Sequence, residues 1–332
     1  MRVVAITDKY RGSATASDVA ASVGRAVVEL GGTCDEAPVA DGGEGTLAAL
    51  GGPTRSTVVM GPLGDPVRAP WRLRDGTAVV EMALASGLSL VGGSEGNDPI
   101  AATTDGTGEL IAAALDAGAT RIIVGMGGSA TTDGGLGAVR AMWAPGRVRG
   151  VELIAACDVR TLFLDAARVF APQKGASPAQ IALLTRRLKR LVDVYREDFG
   201  VDVRELEGAG AAGGLAGGLA ALGADLVSGF DLVADELDLA ERIESADLVV
   251  TGEGFLDEQS FDGKVVGGVL SLATDAGKPV VAVVGEVLDG VELPDGLRVV
   301  SLVERCGRAF ALEQPAAAIE AAVRDTLLHL AG

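Results

Sequence analysis

Short apolar runs alternate with amphipathic stretches at the start of this chain. The segment Arg2–Thr7 is mostly apolar, as in a buried parallel strand. The stretch after Thr15 repeats apolar residues at helical spacing, and Thr15 and Asp18 have the spacing of a capping box. A second strand is predicted at 35–40, again followed by a loop and a helix. The order predicts the start of a doubly wound α/β sheet, in which ligands bind at the carboxyl ends of strands.

The pattern changes near residue 56, where short apolar stretches are separated by Gly-Pro and Asp-Gly turns. This spacing favours antiparallel strands. Alternation of strands and helices resumes after about residue 235. We therefore predict a two-domain α/β fold, in which a doubly wound parallel-sheet domain (flavodoxin- or Rossmann-like) is interrupted by a mixed α/β middle domain. The predicted ranges are 1–62 plus 235–332 for the parallel-sheet domain and 63–234 for the inserted middle domain.

Composition narrows the possible functions. The 332 residues are 48% hydrophobic and 22% charged, which is typical of a globular protein, and the net charge of −18 argues against a nucleic-acid surface. Three cysteines without a CxxC pair fit a reducing cytosol, and neither a signal peptide nor a membrane span is evident, so a cytoplasmic location is expected. The single histidine, His329, makes a Ser-His-Asp triad or a Cys/His zinc site improbable.

A glycine-rich loop, Gly125–Gly135, lies between an apolar strand and a predicted helix. Free N–H groups at such a position attract anions such as phosphate, and the hydroxyls of the loop can bind phosphate while Asp133 can hold magnesium. The alternative is a tight turn that needs glycine only for its geometry. Residues 125–130 also match G-x-G-x-x-A, so a dinucleotide-binding oxidoreductase must be considered, although no ribose-binding acid follows at the expected distance. Residues 208–213 match GxGxxG but follow no clear strand.

Charged residues beside glycines also favour the binding of phosphate and magnesium. No GxxxxGK[ST] motif is present, which excludes an ordinary P-loop kinase. Lysines in predicted loops can neutralise phosphates in an acidic protein, and carboxylates at strand ends can bind magnesium or act as a base. Asp41 and Asp133 could instead cap the helices that follow them. The loop lysines are Lys9, Lys174 and Lys264, and the strand-end acids are Asp8, Asp41, Glu44, Asp133, Asp158, Glu253 and Asp257.

These motifs together resemble the type 1 glycerate kinase family. The resemblance runs in order over nearly the whole chain, so it is far more specific than any one motif. The matching blocks are Asp8 with Arg11–Ser13, Val39–Thr46, Gly106–Ile111, Gly127–Gly135, Ala156–Val159, Pro172–Ala176, Gly208–Gly214, and Thr251–Gly254 with Asp257, Gln259–Ser260 and Gly263–Lys264.

The resemblance implies ATP- and Mg²⁺-dependent phosphorylation of glycerate to 2-phosphoglycerate, and a two-domain fold with the site in the cleft. We predict Asp41 as the base, with Asp133 and Asp158 as alternatives, and Lys174 and Lys264 as the cations of the phosphoryl group. The remaining predicted residues are Asp8, Lys9, Arg11, Ser13, Glu44 and Thr132 for substrate, Gly127, Gly128, Ser129, Gly210, Gly213, Gly252 and Glu253 for nucleotide, and Asp133, Asp158 and Asp257 for metal.

Two departures from the family pattern concern the substrate. The first loop usually reads Asp-Ser-Phe-Lys-Gly-Ser, whereas here Lys9, Tyr10 and Arg11 stand at its centre; Thr132 replaces an asparagine. Arginine is a bidentate fork where lysine is a point charge. A non-catalytic sugar-acid or nucleotide sensor and an NAD-linked dehydrogenase remain as alternatives. We expect small-molecule partners only, without nucleic acid or membrane, and a monomer or small homo-oligomer.

Overall fold

The structure is a computed structural model that describes residues 1–142, 145–261 and 263–331. The strands in chain order are β1 Arg2–Thr7, β2 Thr33–Pro38, β3 Arg55–Met60, β4 Pro66–Arg74, β5 Thr77–Glu81, β6 Arg121–Gly125, β7 Glu152–Ala156, β8 Asp225–Val227, β9 Leu248–Gly252, β10 Phe255–Leu256, β11 Val280–Val284, β12 Glu286–Val287 and β13 Leu297–Ser301.

The α-helices in chain order are α1 Ala16–Glu29, α2 Thr46–Ala49, α3 Ala83–Ser86, α4 Asp105–Asp116, α5 Leu136–Ala141, α6 Ala166–Phe170, α7 Pro178–Phe199, α8 Ala211–Ala221, α9 Gly229–Glu236, α10 Leu239–Glu244, α11 Val265–Asp275, α12 Leu302–Cys306, α13 Arg308–Glu313 and α14 Pro315–Ala331. Short 3₁₀ segments lie at Leu88–Val91, Pro145–Val148, Phe163–Asp165, Pro172–Lys174 and Glu258–Phe261. None of the described helices has the length and apolar character needed to cross a membrane.

Two compact units make up the fold. Unit 1 contains Met1–Asp41 and Phe230–Gly332, and unit 2 contains Gly42–Gly229. The predicted α/β fold class is confirmed, whereas the structure places the division at 41/42 and 229/230 rather than at 62/63 and 234/235. The first difference has a clear physical cause, because β3 pairs with β4 along its whole length and therefore belongs to unit 2.

Unit 1 is built on a parallel five-stranded sheet with the order β13-β11-β9-β1-β2. The strands β9 and β11 are buried along their whole length, as expected for a sheet that is covered on both faces. Helices α1 and α14 pack on one face, and the predicted capping box of Thr15 and Asp18 is present at the start of α1. The strand order reverses between β1 and β9. In doubly wound sheets, ligands bind at the carboxyl ends of the strands that flank such a reversal.

Unit 2 is built on a mixed six-stranded sheet with the order β3-β4-β5-β6-β7-β8. The strands β3, β4 and β5 pair antiparallel, as the turn spacing predicted, and β5 to β8 are parallel. Helices α4, α5 and α8 contribute buried side chains such as Leu110, Ala138 and Leu215 to the core beside this sheet. The glycine-rich loop follows β6, at the carboxyl end of a central strand.

Candidate active site

Carboxylates collect at the point where the strand order of unit 1 reverses. Asp8 follows β1 directly, Asp41 follows β2, and Glu253 follows β9. Asp8 is buried, with 8% of its surface exposed. Its oxygen Oδ1 accepts a hydrogen bond from the backbone N–H of Lys9 at 2.7 Å and lies 3.4 Å from the side-chain nitrogen Nζ of Lys9. Burial raises the pKa of Asp8, the ammonium of Lys9 opposes this shift, and the negative charge of Asp41 adds to it. The structure therefore brings Asp8, Lys9 and Asp41 together.

Glu253 is the most strongly perturbed acid of this edge. Burial raises its pKa to about 7; the hydrogen bond from Ser260 and the charge of Lys264 oppose the shift, and the charges of Asp8 and Asp257 add to it. Its oxygen Oε1 is buried and has no hydrogen-bond partner among the described residues. A buried carboxylate oxygen without a donor costs free energy, so this oxygen is suited to receive a donor or a cation from a ligand.

Asp257 and Ser260 form a closed local turn beside Glu253. The Ser260 N–H donates to Asp257 Oδ1 at 2.9 Å, and the Asp257 N–H donates to Ser260 Oγ at 2.9 Å. Lys264 follows this turn, at the residue before α11, and is half-buried. The sequence predicted Asp257 and Lys264 as site residues, and their effects on the pKa of Glu253 place both near that acid.

Tyr10 holds the first loop against the sheet, a role that the sequence did not reveal. Its ring is 3% exposed, and its hydroxyl donates to the carbonyl of Val283 at the end of β11 at 2.5 Å. A Cβ atom at Gly254 would lie 3.2 Å from Tyr10 Cα, so the loop packs directly on the turn that carries Glu253. Arg11 is exposed, and Ser13 Oγ donates to the Tyr10 carbonyl at 3.3 Å.

In unit 2, two backbone hydrogen bonds hold the segment after β6 against Ser86–Leu88, and Gly128 within it has φ +70°. Leu88 N–H donates to the Gly128 carbonyl at 2.8 Å, and Ala130 N–H donates to the Ser86 carbonyl at 3.0 Å. Within the part of the chain that the structure describes, no protein acceptor bonds the N–H groups of Gly127, Gly128 and Ser129. Three consecutive free donors after a strand are a feature of anion-binding backbone, and the role of these three residues in nucleotide binding stays a prediction.

Asp133, predicted as a metal ligand or base, accepts backbone hydrogen bonds at the start of α5, whose N-cap residue is Gly135. Its Oδ1 accepts from Gly135 N–H at 3.0 Å, and its Oδ2 accepts from Thr104 N–H at 2.9 Å, Thr104 Oγ1 at 2.8 Å and Gly137 N–H at 3.1 Å. The carboxylate therefore ties the start of α5 to the residues before α4. Because protein donors occupy both oxygens, Asp133 fits the capping role that the sequence left open and is poorly suited to a metal.

Lys174 is buried rather than solvated in a loop. It ends the 3₁₀ segment Pro172–Lys174 with 2% of its surface exposed, and its Nζ donates to Ser129 Oγ at 2.7 Å and to the Thr131 carbonyl at 2.6 Å. Burial lowers the pKa of Lys174 to about 7, against the opposing charge of Asp133. Asn97, which the sequence gave no reason to select, donates to the carbonyls of Ala130 and Lys174.

Other predicted residues of unit 2 lie in less accessible or more peripheral positions. Thr132 is 1% exposed, and its hydroxyl has no hydrogen-bond partner among the described residues. The threonine that replaces the asparagine of the family pattern is therefore buried in the interior of the protein. Asp158 Oδ1 accepts from Gly229 N–H at 2.9 Å, at the start of α9. Glu44 is exposed, and its Oε1 would lie 2.3 Å from a Cβ atom at Gly128. The Glu44 carboxylate therefore lies beside Gly128, one of the three residues with free N–H groups.

The predicted nucleotide-binding glycines at 210, 213 and 252 are accounted for by close packing. A Cβ atom at Gly213 would lie 2.0 Å from the Thr131 carbonyl oxygen, one at Gly210 2.5 Å from that of Leu162, and one at Gly252 2.0 Å from that of Val283. Gly213 also has φ +68°, inside the kink at the start of α8. These glycines allow neighbouring backbones to approach, and their role in nucleotide binding stays a prediction.

Replacement of Gly213 by alanine is expected to lower the free energy of unfolding by about 3 kcal/mol, because it combines a strained φ with overlap against a carbonyl oxygen. Gly223→Ala is the matched control, since Gly223 also has positive φ but has open space where a Cβ would lie. Its expected cost is about 1 kcal/mol. Urea unfolding of both variants measures the difference. Equal losses would show that close packing does not explain Gly213.

The described residues contain no group of three or more Asp, Glu, His or Cys side chains arranged to hold a metal ion. The loop after β6 also lacks the geometry of a dinucleotide fingerprint, because α5 begins only at Leu136, well after the glycines at 125 and 127. The features that remain are the carboxylate edge of unit 1 and the free N–H groups of unit 2.

Comparisons with known proteins match this chain over most of its length. The model of the glycerate kinase family matches residues 3–145 and 144–331. The chain is 41% identical to glycerate 2-kinase of Escherichia coli (strain K12), over 88% of this chain and 87% of that protein, and 40% identical to glycerate kinase of Bacillus subtilis (strain 168), over 86% and 85%. The crystal structure of a protein described as glycerate kinase 2 from Salmonella typhimurium LT2 has a TM-score of 0.83 at 36% identity, over 99% of this chain and 98% of that one. The comparisons give no support to a sensor or a dehydrogenase. The chain belongs to the glycerate kinase family.

Proposed function

We propose that this chain transfers the γ-phosphoryl group of ATP to the 2-hydroxyl of glycerate, giving 2-phosphoglycerate and ADP. Membership of the glycerate kinase family implies glycerate and ATP as its small-molecule substrates. The single observation in the structure that supports the proposal most strongly is the row of free N–H groups at Gly127, Gly128 and Ser129. In a chain with a net charge of −18, a nucleotide needs such local donors.

The N–H groups of Gly127, Gly128 and Ser129 are our candidates for the phosphate oxygens of ATP. Backbone donors at the carboxyl end of a strand are held by the sheet and need no reorganisation when the anion binds. Lys264, beside Glu253 in unit 1, is our candidate for the cation that stabilises the transferring phosphoryl group. Phosphoryl transfer depends chiefly on such positioning and charge neutralisation.

Glycerate would bind through its carboxylate to the first loop of unit 1. Arg11 is exposed and can form a bidentate pair with a carboxylate, and Lys9 adds a second cation close to it in the sequence. Asp41 would then accept the proton of the glycerate hydroxyl. The hydroxyl oxygen forms a bond to the γ-phosphorus, the bond from this phosphorus to the β–γ bridging oxygen breaks, and ADP leaves.

Magnesium fits the carboxylate edge of unit 1 better than the predicted Asp133. Glu253 Oε1 is a buried oxygen without a protein donor, and Asp257 lies near it. One or two carboxylates with substrate phosphates are the usual protein site for Mg²⁺, so a larger protein cluster is not required. We propose that Glu253 and Asp257 would hold the ion. When bound, the ion would neutralise charge on the nucleotide phosphates.

The direct test is ADP release by the purified protein with Mg-ATP and each glycerate enantiomer, followed by a coupled assay. We expect ADP release that requires glycerate. Absence of glycerate-dependent turnover with both enantiomers would refute the proposal; binding without turnover would favour a sensor, and NADH formation from NAD a dehydrogenase. We further propose a cytoplasmic location, no nucleic-acid partner, and a monomer or small homo-oligomer.

A further inference from the structure

We propose that Lys174 is a positioning residue, which directs the hydroxyl proton of Ser129 toward a phosphate oxygen of the nucleotide without touching the nucleotide itself. The inference rests on the proposed function, because it takes ATP as the anion at Gly127–Ser129. It gives Lys174 a different role from the direct phosphate contact that the sequence predicted. It also adds a side-chain donor to the three backbone donors.

Lys174 lies buried behind the loop that carries Ser129. Its side chain is 2% exposed, and two of its three N–H donors are occupied, by Ser129 Oγ at 2.7 Å and by the Thr131 carbonyl at 2.6 Å. Asn97 links the same two segments, because its side-chain amide donates to the carbonyls of Ala130 at 3.0 Å and Lys174 at 2.9 Å. Lys174 is thus enclosed by protein and fixed to the loop, which leaves it little freedom to reach a ligand.

The chemistry of this hydrogen bond fixes the direction of the Ser129 proton. A protonated lysine has three donors and no acceptor, so Ser129 Oγ must accept from it. The hydroxyl proton of Ser129 is then available to another acceptor. A donor that itself accepts from a cation is polarised and bonds an anion more strongly. Ser129 is 9% exposed and carries one of the three free backbone N–H groups. Its hydroxyl therefore lies beside the predicted phosphate site.

The protonation state of Lys174 controls this arrangement. Burial lowers the pKa of Lys174 to about 7, and Asp133, the charged group that acts on it, favours the protonated form. Protein donors hold the Asp133 carboxylate itself. Above this pH the neutral amine of Lys174 can accept a hydrogen bond from the Ser129 hydroxyl. The hydroxyl would then no longer donate to the nucleotide. Ser129 should therefore help to bind ATP below the pKa of Lys174 and contribute less above it.

A double-mutant cycle tests the coupling. Ser129→Ala and Lys174→Met are each expected to lower kcat/KM for ATP by about 10-fold to 100-fold, with most of the change in KM. The double variant should be no more than about threefold worse than Lys174→Met, because both changes remove the same donor. If the loss of kcat/KM in the double variant equals the product of the two single losses, Lys174 contacts the phosphates independently of Ser129. If Ser129→Ala keeps the wild-type kcat/KM, its hydroxyl is not used. Either result would overturn the proposal. Lys189→Met, an exposed lysine of α7, is the matched control and should behave as wild type.

A pH profile keeps the test decisive if Lys174→Met does not fold. The profile of kcat/KM for ATP reports ionisations of the free enzyme and free substrate. In wild type, kcat/KM should fall as the pH rises above about 7. In Ser129→Ala this fall should be absent. Because the ionisation of ATP affects both proteins equally, the ratio of their kcat/KM values does not depend on it. Parallel profiles would overturn the proposal. If wild type shows no turnover with glycerate, the proposed function fails, and calorimetric binding of a non-hydrolysable ATP analogue to the same variants still decides the role of Lys174.

Discussion

Replacement of Asp41 by asparagine is expected to lower kcat by about 10²-fold to 10⁴-fold, the usual contribution of a general base. The amide keeps the size of the side chain but cannot accept the proton of the glycerate hydroxyl. The KM values should change much less, because the cations that bind glycerate and the donors that bind ATP remain. Steady-state turnover with saturating glycerate and Mg-ATP measures the effect.

Asp275→Asn is the matched control for this variant, since Asp275 is an exposed acid at the end of α11. It should keep wild-type kcat. Circular dichroism and the urea midpoint of Asp41→Asn should match wild type, so that lost activity is not lost folding. A kcat near wild type in a folded Asp41→Asn protein would remove Asp41 from the mechanism.

Replacement of Asp133 by alanine is expected to lower the free energy of unfolding by about 3 kcal/mol. The change leaves the N–H groups of Thr104, Gly135 and Gly137 without their acceptor. Hydrogen bonds to a charged group contribute about 1.5–3 kcal/mol each, but water replaces part of this at a partly buried site, so the expected loss is smaller than the sum of the three bonds. Asp133→Asn should lose less, because its amide oxygen can still accept from some of these donors. Urea unfolding followed by circular dichroism measures both.

The same variants separate the capping role of Asp133 from the predicted metal role. For the folded Asp133→Asn protein we expect the Mg²⁺ concentration that gives half-maximal activity to stay within about twofold of wild type. Glu253→Gln should raise it, because Glu253 is our candidate ligand. Unchanged stability together with a large shift in the Mg²⁺ requirement of Asp133→Asn would favour Asp133 as the metal ligand.

Local features of the fold could be predicted from the sequence because local chemistry determines them. The capping box at Thr15 satisfies helix N–H groups within three residues, and it is present in the structure. The antiparallel strands after residue 56 follow from their turns. The free N–H groups at Gly127–Ser129 agree with the glycine-rich loop that the sequence placed after a strand.

The features that the sequence did not predict depend on long-range packing. Lys174 lies in a segment that resembles an exposed loop, and only the approach of Ser129 and Thr131, more than 40 residues earlier, buries it. Gly213 belongs to a motif that suggests a nucleotide, whereas its position is determined by the Thr131 carbonyl. The unit boundary near residue 41 depends on the pairing of β3 with β4. None of these contacts can be inferred from the residues that are neighbours in the sequence.

The most direct test of the account is to identify the product by ³¹P NMR after the purified protein is incubated with Mg-ATP and glycerate. We predict one new phosphomonoester resonance that coincides with authentic 2-phosphoglycerate and grows in step with ADP. A resonance of 3-phosphoglycerate would contradict the assigned hydroxyl. Unchanged ATP in the presence of both glycerate enantiomers would contradict the central claim that this chain phosphorylates glycerate.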